Sequence, residues 1–295
     1  MSANDLVVLR AGRLEAVLAP CVGGCVAAFD WVGPQGRIPV LRGAPRRPAT
    51  VLDAGSFPLV PYVNRIRGGR FGFRGREVVQ APNMPPDPSP LHGQGWLGAW
   101  QVTAQSEDSA ELSFVHPRGE WPWTYEAVQR IALDTGGLTL AIECRNRDDA
   151  PMPCGLGHHP YFPCTAETRL DTEVSCAWTI DDKVLPVERV PAEGRYDLRD
   201  RPICGQGLDN GFGGWGGHAR IETPGLPFAV SLASSDARFF QVYSPAAGGL
   251  FVAEPVSHAN AALNAPEADW AALSMRVLEP DETMRLTMHL EVEPV

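Results

Sequence analysis

Residues Met284 to Val292 read Met-Arg-Leu-Thr-Met-His-Leu-Glu-Val, with an apolar side chain at nearly every second position. A period of two marks a β-strand that lays one face on a core and turns the other to water. The same alternation runs through Leu138 to Asn146. Leu140, Ile142, Leu286 and Met288 are therefore expected to point inward. Shorter runs of this kind occupy Leu6 to Arg10, Leu14 to Leu18, Val26 to Trp31, Ala110 to His116, Tyr125 to Leu133, Phe228 to Leu232 and Phe239 to Tyr243. Helical spacing is nowhere sustained for three turns, and only Pro266 to Leu273 has room for one short helix. Thirty glycines and 28 prolines punctuate the strands at short intervals. The pattern predicts an all-β sandwich. Neither an internal repeat nor a dividing linker interrupts it, so residues 1–295 are expected to form a single large antiparallel β domain.

Charge and composition then remove whole classes of function. The chain carries 35 acidic against 25 basic residues, a formal charge of −10, and no basic block offsets it. Nucleic acid and anionic membrane surfaces both require clustered positive charge, so neither is an expected partner. Lys183 is the only lysine, which leaves Schiff-base and Walker-type phosphate chemistry almost without a candidate residue. Seven cysteines are scattered at 21, 25, 144, 154, 164, 176 and 204, and the one close pair, Cys21 and Cys25, is a weak metal signal. Met1 to Asp5 lacks the basic start and apolar core of a signal peptide. No run approaches the roughly 18 apolar residues of a membrane span. These features predict a cytoplasmic protein whose cysteines are free and mostly buried as small hydrophobes.

The chemistry is concentrated around Phe57 to Phe71, where Pro58 and Pro61 prevent a helix, the apolar run stops at Asn64-Arg65, and Gly68-Gly69 turns the chain. Four later segments can meet it: Leu91-His92-Gly93, Gly157 to Phe162, Leu208-Asp209-Asn210 and Ala253-Glu254-Pro255. The Pro-rich Ala81 to Pro90 leads straight into His92 and reads as a rigid loop at a site.

Taken singly, each candidate has an ordinary structural explanation. Glu254 shares a strand face with Leu250 and Val252, and Pro255 should end that strand and leave the carboxylate at the sheet rim, where a structural ion pair would account for it. His158 and His159 are neighbours in an extended segment and must face opposite ways, so joint metal ligation is awkward and packing is the commoner fate. His92, with Gly93 and Gly95 close by, is either ligand-facing or an exposed loop histidine. Asp209 before Asn-Gly is common turn chemistry. Arg67, Arg70, Arg74 and Arg76 read as a solvated hairpin, and Trp96, Trp100, Trp121 and Trp123 as core.

In combination the segments resemble the aldose 1-epimerase (galactose mutarotase) family. The resemblance rests on Pro61 to Phe71 (PYVNRIRGGRF), Leu91 to Trp96 (LHGQGW), Gly155 to Phe162 (GLGHHPYF), Leu208 to Phe212 (LDNGF) and Ala253 to His258 (AEPVSH), in matching order and separation. Similarity extends from about Leu14 to Val292, through the closing turn at Leu278 to Glu282. It implies a β-supersandwich, and the interconversion of the α and β anomers of a free aldose. Glu254 falls where the family has its general base and His159 where it has its general acid. Arg65, His92 and Asp209 fall on sugar-binding and orienting positions, with Asn64 beside the arginine. Neither metal nor cofactor is implied, and the expected partner is a small-molecule sugar; oligomeric state has no signal.

The chemistry of the residues agrees. A glutamate near its usual pKa of about 4.3 is ionised at neutral pH and can act as base. A histidine near about 6.5 can act as acid if a neighbouring carboxylate raises it. Two positions depart from the family: His158 stands where many relatives carry an apolar or amide residue, and Gln94 replaces an aromatic. Three rivals remain at this level. A hexose-6-phosphate 1-epimerase would grip its phosphate with Arg67, Arg70 and Arg74. A non-catalytic carbohydrate-binding or sensor domain would share the fold. A zinc hydrolase built on His92, His159 and a carboxylate lacks any recognisable ligand spacing.

Overall fold

A computed structural model of the chain describes residues 6–43 and 47–295. The Met1 to Asp5 segment, read above for a targeting signal, lies outside the described residues. Two large antiparallel sheets dominate. In the nine-stranded sheet the order runs Arg201–Pro202, Arg169–Thr172, His218–Glu222, Phe228–Ala233, Thr283–Pro294, Gly137–Asn146, Tyr125–Leu133, Ser109–His116 and Gln101–Gln105. In the eight-stranded sheet it runs Pro186–Pro191, Cys176–Ile180, Leu208–Gly213, Phe239–Ser244, Leu250–Val256, Gly157–His158 and Pro58–Leu59, with Tyr161–Pro163 also paired to Leu250–Val256. A four-stranded meander from Val7 to Pro39 packs beside them.

Alternation places the core as predicted. Leu140, Ile142, Leu286 and Met288 are all buried in the main hydrophobic cluster, and Trp100, Trp121 and Trp123 join them. Every strand of the sequence reading is present within a residue or two of its expected bounds. The proposed helix over Pro266 to Leu273 is reduced to a single 3₁₀ turn at Glu267–Asp269 followed by further turns. Arg70–Phe73 and Arg76–Val79 form the solvated hairpin, with Arg70, Arg74 and Arg76 exposed.

Two expectations are corrected. Pro255 does not end its strand, which continues to Val256 with Pro255 opposite Phe240. A proline is tolerated wherever its missing N–H is not required by the ladder. Glu254 consequently sits inside the sheet and is 3% exposed. The cysteines are not all free: Cys164 and Cys204 are joined in a disulfide across 40 residues. That pairing follows from tertiary proximity, since Cys164 follows Tyr161–Pro163 and Cys204 follows Arg201–Pro202 in different sheets, and it leaves no trace in local spacing. Of the five free cysteines, four are buried. Among the described residues, no helix is long and apolar enough to cross a membrane.

Candidate active site

Three neighbouring strands of the eight-stranded sheet build the floor of one cavity. Along Leu250–Val256, Phe251 and Ala253 join the main core, while Val252 and Val256 pack in a second cluster on the other face. Period-two alternation therefore commits Glu254 to that second face. Directly across the ladder stands Gln241, and one strand further Asp209 pairs with Tyr243. Gln241 Nε2 donates to Asp209 Oδ1 at 2.9 Å, so Asp209 is a strand residue held by its neighbour rather than a turn residue.

The same logic separates the adjacent histidines. His158 is fully buried away from the cavity, and His159 faces into it. The His159 ring stacks on Phe57 with centroids 4.4 Å apart, and Phe57 stacks in turn on Trp96. His92 meets His159 edge to face at 5.4 Å. This aromatic layer leaves His159 Nε2 3.5 Å from Glu254 Oε1. Glu254 Oε2 and His159 Nδ1 are buried without a protein hydrogen-bond partner.

The loops supply the opposite wall. Asn64 adopts a left-handed backbone (φ +59°), which turns the chain so that Asn64 and Arg65 both line the cavity. Its amide donates to His92 Nδ1 at 3.0 Å. A neutral His92 must then carry its proton on Nε2, as a donor. Arg65 Nε donates to Asp87 Oδ2 at 2.9 Å, and its Nη1 to Asn64 Oδ1 at 3.2 Å. Trp96 Nε1 donates to the carbonyls of Leu91 and Gly93, and Asn83 brackets Leu91 from both its amide and its carbonyl. Gly93 is needed here: its φ is +72°, and a Cβ would lie 2.2 Å from the Val60 carbonyl oxygen.

The result is a cavity of about 290 Å³ lined by Asn64, Arg65, His92, His159, Asp209 and Glu254, the six residues singled out in the sequence, together. Its volume suits a small polar ligand. Leu52, Phe57, Met84, Leu91, Trp96, Tyr161, Gln241 and Tyr243 complete the lining, and of these only Leu52, Gln241 and Tyr243 fall outside the segments the sequence assigned to the site. Sequence reading also missed Asp87 as the partner of Arg65, although the Pro-rich loop that carries Asp87 was read as belonging to a site. His158 and Gln94, the two departures from the family pattern, are not part of the lining; Gln94 instead accepts a hydrogen bond from the Tyr125 hydroxyl. Arg67, Arg70 and Arg74 also lie elsewhere, paired with Asp181, Glu77 and Glu279. Among the described residues, no group of three His, Cys, Asp or Glu is arranged to hold a metal ion.

Burial governs the protonation of this cavity and corrects the sequence-based view of the pair. Desolvation, reinforced by Asp209, pushes the Glu254 carboxyl well above its ordinary range, with Arg65 opposing. Desolvation pushes His159 down to about 3, its own backbone opposing and Arg42 adding to the fall. His92 is held well below its usual value by burial, His159 and Arg65. Asp209 is raised by burial, with Arg65 and the Gln241 hydrogen bond opposing. A carboxylate does stand beside His159, yet loss of water outweighs it. Burial thus disfavours the charged form of both groups, the carboxylate of Glu254 and the imidazolium of His159.

The sequence profile of the aldose 1-epimerase family matches residues 5–291. The uncharacterized protein YphB of Escherichia coli (strain K12) is 34% identical over 282 residues, covering 92% of this chain and 93% of its own. Among solved structures, the Escherichia coli K12 protein described as a "Putative aldose 1-epimerase" superposes with a TM-score of 0.90 at 32% identity, over 99% of each chain. A galactose mutarotase-like protein from Clostridium acetobutylicum shares the fold at a TM-score of 0.86 and 18% identity, over 98% of this chain and 95% of its own. With its all-β fold and with the profile matched over almost its whole length, the chain belongs to the aldose 1-epimerase family.

Proposed function

We propose that the protein is an aldose 1-epimerase that interconverts the α and β anomers of a free aldose such as glucose or galactose. In this reading Glu254 takes the proton of the C1 hydroxyl while His159 gives a proton to the ring oxygen. The ring opens, the C1–C2 bond turns, and closure returns both protons, so the chemistry balances without a cofactor. One observation carries the reading: a carboxyl and an imidazole 3.5 Å apart, buried in a cavity whose other polar walls are Asn64, Arg65, His92, Asp209 and Gln241.

The proton inventory supports it. A single proton shared by Glu254 and His159 can shift from carboxyl to imidazole, which yields base and acid together without exchange with solvent. Arg65 favours the ionised glutamate that this shift creates. His92 offers an Nε2 proton, Asp209 an acceptor, and Asn64 and Arg65 further hydrogen-bonding capacity, a set suited to ring hydroxyls.

A free sugar is favoured over a sugar phosphate because the cavity brings Asp209 and Glu254 together with a single arginine, itself engaged by Asp87. A phosphate dianion would find there no arginine free of a carboxylate partner. Polarimetry on freshly dissolved α-D-glucose and α-D-galactose, with wild type beside Glu254→Gln, tests the reading. Wild type should accelerate mutarotation, and the variant should lose roughly two or more orders of magnitude. A wild-type rate equal to buffer on both sugars but not on glucose 6-phosphate would move the protein to the phosphate branch. Silence across a wider sugar panel would favour a carbohydrate-binding domain.

A further inference from the structure

Five consecutive amides, Val63 to Arg67, carry the loop wall of the cavity, and each has a defined acceptor. From one side Asn64 donates to His92 Nδ1 at 3.0 Å and Ile66 to the Pro90 carbonyl at 3.1 Å. From the other side Val63 donates to His258 Nε2 at 3.1 Å, Arg65 to Asn260 Oδ1 at 3.2 Å and Arg67 to Asn264 Oδ1 at 2.7 Å. The alternation is that of a strand between two neighbours. On the second side, however, every acceptor is a side chain. Asn264 also donates to the carbonyls of Arg67 and Arg70.

His258 is the most constrained of the three. It is 1% exposed, and its Nδ1 lies 2.8 Å from the Ala259 carbonyl oxygen. An imidazole that accepts at Nε2 and donates at Nδ1 is the neutral Nδ1–H tautomer, so both contacts are satisfied at once. Gly155 makes the room: a Cβ there would stand 2.0 Å from His258 Cδ2. His258 follows Glu254 by four residues, just beyond the strand that seats the glutamate. Neither His258 nor Asn260 lines the 290 Å³ cavity.

We propose that His258 and Asn260 are positioning residues, whose side chains lock the amides of Val63 and Arg65 and thereby set Asn64 and Arg65 in fixed register with Glu254. The clamp joins the two walls of the site through a single run of chain, from Glu254 through His258 to Asn260. Its catalytic consequence rests on the epimerase reading; its structural consequence does not.

The test compares His258→Leu, which removes the acceptor, with His258→Gln, whose Oε1 can occupy the place of Nε2. Two readouts are taken: kcat and KM for α-D-galactose at about 20 °C below each variant's own melting temperature, and hydrogen exchange at the Val63 and Arg65 amides by NMR. His258→Leu should lose roughly 10- to 100-fold in kcat/KM through displacement of the loop wall. It should also lose protection at Val63 and Arg65 while the amides of Tyr125–Leu133 keep theirs. His258→Gln should recover most of both. Wild-type kcat/KM in a folded His258→Leu, or an equal loss in a folded His258→Gln, would overturn the proposal. If wild type itself proves inactive on every aldose, the epimerase reading fails and exchange alone decides: lost protection in His258→Leu supports the clamp, and unchanged protection overturns it.

Discussion

His159 Nε2 stands 3.5 Å from Glu254 Oε1, and their side chains are only 11% and 4% exposed. At that separation a change of charge on one member bears directly on the proton affinity of the other.

Rate against pH follows from that coupling. Burial raises Glu254 and lowers His159, which favours a single proton on the pair, carried by the carboxyl. Gain of a second proton on the acid side removes the base, and loss of the only proton on the alkaline side removes the acid. The kcat/KM for mutarotation should therefore form a bell with a broad, flat top. A profile that rises through about 6.5 as a single ordinary histidine would contradict the shared proton.

Stability against acid has the opposite bookkeeping to a surface histidine. His158 and His159 are depressed to about 3 and His258 to about 4, each mainly by burial. In the unfolded chain these groups take protons below about 6.5, while the folded protein refuses them. Their contribution is complete above the unfolded value and is lost as pH falls toward the folded ones. Glu254 and Asp209, raised by burial, work in the reverse sense, while His92, lowered by burial, adds to the histidine side. Urea midpoints should decline steadily on acidification below neutrality. His158→Leu, which removes a buried titrating ring outside the cavity, should flatten that decline; an unchanged slope would remove His158 from the account.

Arg65→Lys keeps the charge and loses the fork. Nε of Arg65 holds Asp87 while Nη1 holds Asn64, and a single ammonium cannot reproduce both. Kinetics on α-D-galactose should show about a tenfold or greater fall in kcat/KM, since a hydrogen bond to a charged group contributes about 1.5–3 kcal/mol. Wild-type kinetics in this variant would place Arg65 outside the working part of the site.

The Cys164–Cys204 bond spans 40 residues and closes a loop that contains the strands Arg169–Thr172, Cys176–Ile180, Pro186–Pro191 and Arg201–Pro202. Cross-linking a loop of that length restricts the unfolded chain and stabilises the fold by about 2–4 kcal/mol. Cys164→Ser, or reduction with dithiothreitol, should lower the melting temperature by several degrees, read by circular dichroism. An unchanged melting temperature on reduction would show that the bond adds nothing to the fold.

Sequence by itself determined the elements and the cast of side chains. Alternation in Leu138–Asn146 and Met284–Val292 is a local property of strands with one wet face, so core positions such as Ile142 and Leu286 were legible without coordinates. The five motifs likewise named Asn64, Arg65, His92, His159, Asp209 and Glu254, because each lies in a short segment whose residues carry the resemblance. Tertiary structure alone decided their environment. Pro255 lies inside a strand because Phe240 faces it, and this buries Glu254 instead of leaving it at a rim. That burial, which depends on packing between segments a hundred or more residues apart, reverses the expected direction of the His159 shift. Asp87 on Arg65, Gln241 on Asp209, His258 on Val63 and Cys164 on Cys204 are all contacts between distant parts of the chain. Local pattern records which face a residue prefers; partner, solvent access and proton affinity are set only when separate strands and loops close around the same space.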